Sequence, residues 1–445
     1  MEQIKQPNGI YMSILGNPKQ GSGQCRLSYF CVCQRLDEGV LLHHTLTREI
    51  ILLTHEEYEN VLGLECLRKN WFVVPMELDE VQSAKSVIWF NRIKMKKPDN
   101  ITTYTILPTT DCNARCFYCF ELGRVHTSMS DEIAVKTAAY IQSNCGDKEV
   151  LLRWFGGEPL YNSRAIDIIC EKLRSLGISY RSEMVSNGYL FDAQMVSKAT
   201  ELWNLKQVQI TLDGTEEVYN RCKAYIYKEG SPYQTVMQNI QCLLDADVRV
   251  LLRMNLDLHN ITDLGSLCDE ISARFGKRRN LYVYPYLIFD SSVSWKDRYP
   301  IEKWELLYAE LERLIQKLID MGLYAFRSQR IKDCLPVNHC IADSDDAVVI
   351  LPTGQLCACE NYSEDEVIGH LDNGIVNIAI LDTWRDRDDE IQECKTCFYY
   401  PECVRLKKCT DQVQCNEFER TALMYNIQRA MLNEYRLYKK QQIGC

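Results

Sequence analysis

The stretch DCNARCFYCFE, residues 111–121, sets Cys112, Cys116 and Cys119 at C-x3-C-x2-C spacing. A structural zinc site takes four protein ligands, and an iron–sulfur cluster normally also takes four thiolates. Three thiols in one short loop, with no fourth ligand beside them, suit a site with one position left open. Three thiolates on a [4Fe–4S] cluster leave one iron free for a small chelating ligand, and an electron can then pass from cluster to ligand. The plainer alternatives are a zinc knuckle and chance spacing.

Further short motifs follow apolar runs. WFGGEP contains Gly156, Gly157, Glu158 and Pro159. Glycines permit an unusual backbone and a close approach to a ligand, and a carboxylate accepts charge-assisted hydrogen bonds from an ammonium. Taken alone, the motif is also an ordinary turn. VSNG and TLDG carry Ser186, Asn187 and Asp213, which can hydrogen-bond ribose hydroxyls or simply end strands at glycine turns. RMN puts Arg253 and Asn255 on one strand face, because strand side chains alternate. Arg253 can meet a carboxylate of a cofactor or peptide, or form a structural ion pair.

A second set of cysteines lies near the C-terminus. Cys334 and Cys340 are separated by five residues, Gly354 follows, and Cys359 directly precedes Glu360. CKTCFYYPEC then gives C-x2-C-x5-C at Cys394, Cys397 and Cys403, followed by Cys409 and Cys415. Cys357 reads as a spare thiol. His43, His44 and His339 show no metal-ligand spacing.

The elements that must position these residues fit a chain of 445 residues with room for two or three domains. It is 46% hydrophobic and 25% charged, which supports an ordinary core. A net charge of −10 disfavours broad nucleic-acid binding. No apolar run approaches the ~18 residues of a membrane span, and the N-terminus lacks a signal-peptide core. A cytoplasmic location is expected. There, 22 cysteines point to metal or redox chemistry rather than disulfides.

Three segments are expected. Residues 1–98 mix short strands with a helical stretch, THEEYENVLGLECLRKN, and the charged run RIKMKKPDN reads as a linker. Residues 99–325 alternate six strand-like runs with helical patterns, which implies parallel strands with right-handed crossovers. Six units are too few for a closed eight-stranded barrel, so an α/β fold with an open, partial (β/α)6 TIM-like barrel is predicted. Residues 326–445 are cysteine-rich and loop-rich and end in an amphipathic helix. The triplet follows the first strand, where barrels of this kind carry their active sites.

The triplet in this strand context, with Tyr118 before its last cysteine, resembles the radical S-adenosylmethionine superfamily. The resemblance implies that the amino and carboxylate groups of S-adenosylmethionine bind the open iron. Reduction then releases a 5′-deoxyadenosyl radical that abstracts hydrogen. It implies that Tyr118 lies close to the adenine and that the G-G-E-P motif, Gly156 to Pro159, holds the methionine amino group. It also places Ser186, Asn187 and Asp213 around the cofactor. The C-terminal cysteines resemble the SPASM extension of peptide-modifying radical enzymes, which carries two auxiliary [4Fe–4S] clusters. By that pattern Cys334, Cys340, Cys359 and Cys409 would hold the first, and Cys394, Cys397, Cys403 and Cys415 the second. This chain departs from the usual C-x2-C-x5-C-x3-C: Lys407 stands where a cysteine is expected, and Cys409 takes that role. Two zinc sites are the alternative. In sulfatase-maturing relatives an acidic residue at the place of Glu360 acts as a base, and a solvated loop glutamate is the plainer reading.

The leading segment is similar in composition to that of maturases acting on ribosomally made peptides. There a small α+β module pairs with a precursor's leader by strand addition; a structural pad on the barrel is the alternative. The expected function is hydrogen abstraction from a residue of a precursor peptide, giving a thioether or carbon–carbon crosslink. The expected partners are that peptide and an electron donor such as flavodoxin or ferredoxin, with neither nucleic acid nor membrane. Two other readings are an anaerobic sulfatase-maturating enzyme that makes formylglycine and a non-catalytic iron–sulfur regulatory protein.

Overall fold

The computed structural model describes residues 1–18, 23–95, 100–227, 229–288, 295–324, 330–387, 390–409 and 415–443. The predicted segment boundaries at 98/99 and 325/326 lie outside these residues, as do linker residues 96–99 and Phe289 of the last predicted strand.

Strands β1 (Glu2–Lys5), β2 (Cys25–Leu27), β3 (Cys31–Leu36), β4 (Gly39–His44), β5 (Ile50–Leu53) and β6 (Val73–Pro75) precede the barrel. Four of them form an antiparallel sheet in the order β1-β5-β4-β3, and β2 pairs with β6. The helical stretch predicted over residues 54–70 is broken into His55–Glu59 and Glu65–Lys69, with a 3-10 turn between them. Thr54 and Glu57 form a capping box that starts the first piece, and Asn60 closes it after about one turn. The run read as a linker from Arg92 is instead the end of a helix, Glu80–Met95. Its Arg92 and Lys94 sit in the last turn, where cations are favoured by the helix dipole.

Strands β7 (Thr103–Ile106), β8 (Val150–Trp154), β9 (Tyr180–Ser186), β10 (Leu205–Leu212), β11 (Arg249–Leu256) and β12 (Leu281–Leu287) form the parallel sheet the sequence predicts, in unbroken chain order. Alternation fixes its two faces. In β8, Val150, Leu152 and Trp154 are buried while Leu151 and Arg153 are half-buried, and β9 and β12 repeat the pattern. The fully buried face packs on the crossover helices in one large core. The half-open face carries Arg153, Glu183, Gln207, Gln209 and Tyr286 into the concavity.

The sequence did not anticipate a further strand, β13 (Ala347–Ile350), which pairs in parallel with β7. β14 (Gln355–Cys357), β15 (Gly369–His370) and β16 (Gly374–Ile375) continue outward as an antiparallel meander. The cysteine-rich segment is therefore welded to the barrel by backbone hydrogen bonds. No helix among the described residues is long and apolar enough to cross a membrane.

The N-terminal sheet packs on the other end of the chain. Val32, Leu41 and Ile50 meet Ile427, Ala430, Met431 and Tyr435 of the last helix, Glu417–Ile443, together with Phe398. Arg48 donates to Glu402 (2.5 Å) and to the Lys332 carbonyl (2.9 Å), and Thr45 Oγ1 donates to the Phe398 carbonyl (2.6 Å). His43 and His44 are fully buried beside this junction, each with an Nε2 that lacks a partner. Burial drives the His44 pKa down to about 3 and the His43 pKa well below the usual range. Both stay neutral in the fold but gain a proton on unfolding below pH ~6.5, so stability falls as the pH drops. At pH 5 this should cost about 2 kcal/mol for His44, with His43 acting in the same direction. Glu49, raised to about 7 by burial, acts in the opposite sense. The check is therefore a difference. Between pH 7.5 and 5, the His44→Asn variant should gain about 2 kcal/mol in urea melts relative to the unsubstituted chain. Parallel curves would refute it.

Candidate active site

The chain leaves β7 into the cysteine loop, and the end of β8 nests against it. Gly157 N donates to the Thr109 carbonyl (3.1 Å) and Glu158 N to the Asp111 carbonyl (2.9 Å). A Cβ on Gly156 (φ +115°) would lie 2.3 Å from Thr109 O, and one on Gly157 2.3 Å from Asp111 O. The two glycines are needed because backbone, not a flexible side chain, occupies that space. Glu158 is buried. It accepts from Ser186 Oγ (2.9 Å), Asn187 N (2.8 Å) and Leu160 N (3.3 Å), and burial still pushes its pKa up to about 7. Pro159 opens the short turn that Glu158 caps. Asn187 Nδ2 donates to Asn113 Oδ1 (2.7 Å) and lies 3.8 Å from Cys112 Sγ. Asn113 Nδ2 is buried with no partner.

Burial pushes the Cys112 thiol up to about 12 and raises those of Cys116 and Cys119. Cys112 also feels the charges of the other two, which places the three together. Thiols kept neutral by burial become thiolates when a metal centre supplies the countercharge. The loop fits such a centre.

A polar triad flanks the loop, and one member was not legible in the sequence. Tyr118 OH donates to both Asp213 oxygens (2.7 and 2.8 Å), and Lys223 Nζ donates to Tyr118 OH (2.8 Å) and lies 3.2 Å from Asp213 Oδ2. Burial pulls the Lys223 ammonium down, but Asp213, Tyr118 and Cys116 outweigh it and hold its pKa above the usual lysine value. Asn255 Nδ2 donates to Asp213 Oδ1 (2.9 Å), and Arg253 Nε donates to Asn255 Oδ1 (3.0 Å) while its guanidinium stacks 3.7 Å from the Tyr286 ring centre. Arg253 is thus joined to the triad through Asn255. The Lys223 carbonyl also accepts from Arg115 N (2.9 Å), which brings the end of helix Glu216–Lys223 to the cysteine loop. Nothing in the sequence around Lys223 marks a buried lysine.

A cavity of about 990 Å³ opens between the concave strand face and the C-terminal cysteines. Cys340, Cys359, Glu360 and Cys409 line it opposite Arg153 and Glu183. Cys359 feels the charges of Glu360, Cys340 and Cys409, and Cys359 and Cys409 pack in one small cluster with Trp384 and Leu406. Cys394, Cys397, Cys403 and Cys415 form a separate set: Cys394 and Cys397 each feel Cys403 and Cys415. Cys334, grouped by spacing with Cys340, is exposed and sits by the N-terminal segment, 3.9 Å from Asn8 Nδ2 and within the electrostatic reach of Tyr11. His339 Nε2 lies 4.0 Å from Cys409 Sγ. Cys357 points into a different, apolar cluster with Leu107, Val349 and Leu351. No three His, Cys, Asp or Glu side chains among the described residues converge as ligands of a single ion.

Residues 106–271 match the family model described as the Radical SAM superfamily. Within that segment the chain carries a radical SAM domain, which takes in the three-cysteine loop, the G-G-E-P motif and Lys223. No curated protein matches it by sequence. Among solved structures it is similar to native anSMEcpe with bound AdoMet, at 13% identity over 76% of this chain and 99% of that one, with a TM-score of 0.58. It is also similar to anSMEcpe with bound AdoMet and the Cp18Cys peptide (13%, 76% and 99%, TM-score 0.57). SuiB of Streptococcus suis bound to its precursor peptide SuiA matches at 12% identity over 89% of this chain and 99% of that one, with a TM-score of 0.50.

Proposed function

We propose that this protein is a radical SAM enzyme that abstracts hydrogen from a residue of a ribosomally made precursor peptide and forms a thioether or carbon–carbon crosslink. The observation that carries the reading is the cavity of about 990 Å³ between the concave strand face and Cys340, Cys359 and Cys409. It offers an extended peptide both polar strand residues and a wall of cluster-type thiols. The SuiB fold, seen with a bound precursor peptide, spans 89% of this chain, against 76% for anSMEcpe.

In this reading Cys112, Cys116 and Cys119 hold the cluster whose fourth iron binds S-adenosylmethionine, the source of the hydrogen-abstracting radical. Gly156, Gly157 and Glu158 receive its ammonium group, and Tyr118, Ser186, Asn187, Asp213 and Arg253 surround the remainder. Cys340, Cys359 and Cys409, completed by Cys334, hold one auxiliary [4Fe–4S] cluster. Cys394, Cys397, Cys403 and Cys415 hold a second. One of them would accept the single electron left by bond formation, and a flavodoxin or ferredoxin would supply the electron that starts the reaction. Glu360 faces the cavity as a base. Residues 1–98 recognise the leader, residues 99–325 form the catalytic barrel and residues 326–445 carry the auxiliary clusters, all in the cytoplasm.

The test is anaerobic incubation of the reconstituted enzyme with S-adenosylmethionine, dithionite and a short precursor encoded beside its gene. Loss of two hydrogens from the peptide for each bond made is expected. A hydrazide-reactive aldehyde on a sulfatase peptide instead would establish formylglycine synthesis. Glu158→Gln removes a charged acceptor from the ammonium and should weaken S-adenosylmethionine binding by about 1–3 kcal/mol, roughly 5- to 150-fold, at unchanged iron content. Unaltered affinity by calorimetry counts against that role.

A further inference from the structure

The loop that carries the three cysteines is closed at its base and held at its tip. At the base, Thr110 and Thr127 bond each other through Thr110 N to Thr127 O and Thr127 N to Thr110 Oγ1, both 2.9 Å. Beyond Cys119 the chain turns tightly, with Leu122 N on the Cys119 carbonyl and Arg124 N on the Glu121 carbonyl. Arg124 then reaches across to the segment after Cys359. Its Nη1 donates to the Glu360 carbonyl (3.4 Å), and its Nη2 donates to Asn361 Oδ1 (3.1 Å) and the Tyr362 carbonyl (2.9 Å). The guanidinium also lies between two rings, 4.6 Å from the Tyr362 centre and 5.4 Å from that of Phe120. Phe120 in turn stacks on Phe155, which lines the cavity.

The geometry points to Arg124 as a positioning residue that locks the open-site loop to the Cys359–Glu360 step of the cavity wall. This rests on the reading of the triplet and the C-terminal cysteines as redox sites. The planar fork suits the task because it satisfies several carbonyls at once while stacking on aromatic faces, which a lysine does only in part. Two backbone carbonyls and a side-chain amide fix the path of residues 360–362, and with it the aim of the Glu360 side chain into the cavity. The same contacts fix how far the loop of Cys119 stands from Cys359. Arg124 is also the charge that acts on Glu121, a buried carboxyl whose Oε1 has no hydrogen-bond partner.

The test compares Arg124→Met and Arg124→Lys in the reconstituted full-length enzyme. Hydrogen exchange of amides 357–363 should quicken at least tenfold in the methionine variant while β9–β11 stay unchanged, and lysine should restore it to within threefold. With S-adenosylmethionine bound, the half-saturation power of the reduced open-site EPR signal should shift at least twofold in the methionine variant and return toward its original value with lysine. That relaxation depends on distance to the auxiliary iron, which a merely space-filling side chain does not set. Unchanged exchange, equal acceleration throughout the barrel, or unchanged relaxation would each overturn the assignment. Neither measurement needs a peptide. If the C-terminal segment proves free of iron, the redox reading fails, while the exchange result still decides whether Arg124 locks the two segments.

Discussion

Under the proposed reading, replacing Cys112, Cys116 and Cys119 together by alanine should abolish S-adenosylmethionine cleavage and leave about eight irons per chain, four for each of two auxiliary cubanes. The expectation follows from placement. The triplet loop rises from the end of β7, whereas the other candidate ligands lie on the turns before β13 (Cys334, Cys340), on the meander after it (Cys359) and on the turns from Cys394 onward. The two regions share the β7–β13 hydrogen bonds, but no thiol of the triplet is needed to keep that pairing. Thus the sites load independently. Iron analysis and 5′-deoxyadenosine assay under dithionite give the answer, and cleavage by the triple variant would remove the open-site assignment.

The second large effect is on stability. Lys223 and Asp213 have side chains 5% and 1% exposed, and they meet through a 3.2 Å contact and the shared Tyr118 hydroxyl. Lys223→Met leaves Asp213 buried beside Tyr118 and Asn255 with its countercharge gone. Breaking one side of a buried pair costs about 3–5 kcal/mol. The double change Lys223→Met/Asp213→Leu should recover much of the loss, because the uncompensated charge disappears with its partner. Urea melts of the three variants test this. A loss below about 1 kcal/mol in the single variant would mean that water reaches Asp213 freely.

The parts of the site that were legible in the sequence are those whose demands fall on a few consecutive or closely spaced residues. Cys112, Cys116 and Cys119 are set by local spacing, and Gly156–Gly157 are forced by the backbone of Thr109 and Asp111, so both leave fixed motifs. The six barrel strands were legible because one face of each is buried and the other half-open, which writes a period of two into β8, β9 and β12. Lys223 was not legible because its role comes from burial against Asp213 across ten residues of turn and helix, and charge alone does not signal burial. Arg124 was silent for the same reason: its partners lie 236–238 residues away. Strand β13 is four residues inside a cysteine-rich run, too short to show a period, and exists because β7 offers an edge. Cys334 has five residues between it and Cys340, and it also meets Asn8 and Tyr11, contacts no spacing can express.

The packing of the first sheet on the last helix sets a timetable for synthesis. Gln428 donates to the Cys33 carbonyl across 395 positions of chain, and Val32, Leu41 and Ile50 have their apolar partners on that same helix. At roughly 5–20 residues per second, the ribosome delivers those partners about 20–80 s after it has finished the sheet. Throughout that interval the nascent chain shows a bare apolar face and a set of reduced thiols. Chaperones and the iron–sulfur delivery machinery therefore meet a protein whose beginning cannot close until its end has emerged. Chains broken off before Glu417 would keep that apolar face bare and be prone to aggregate.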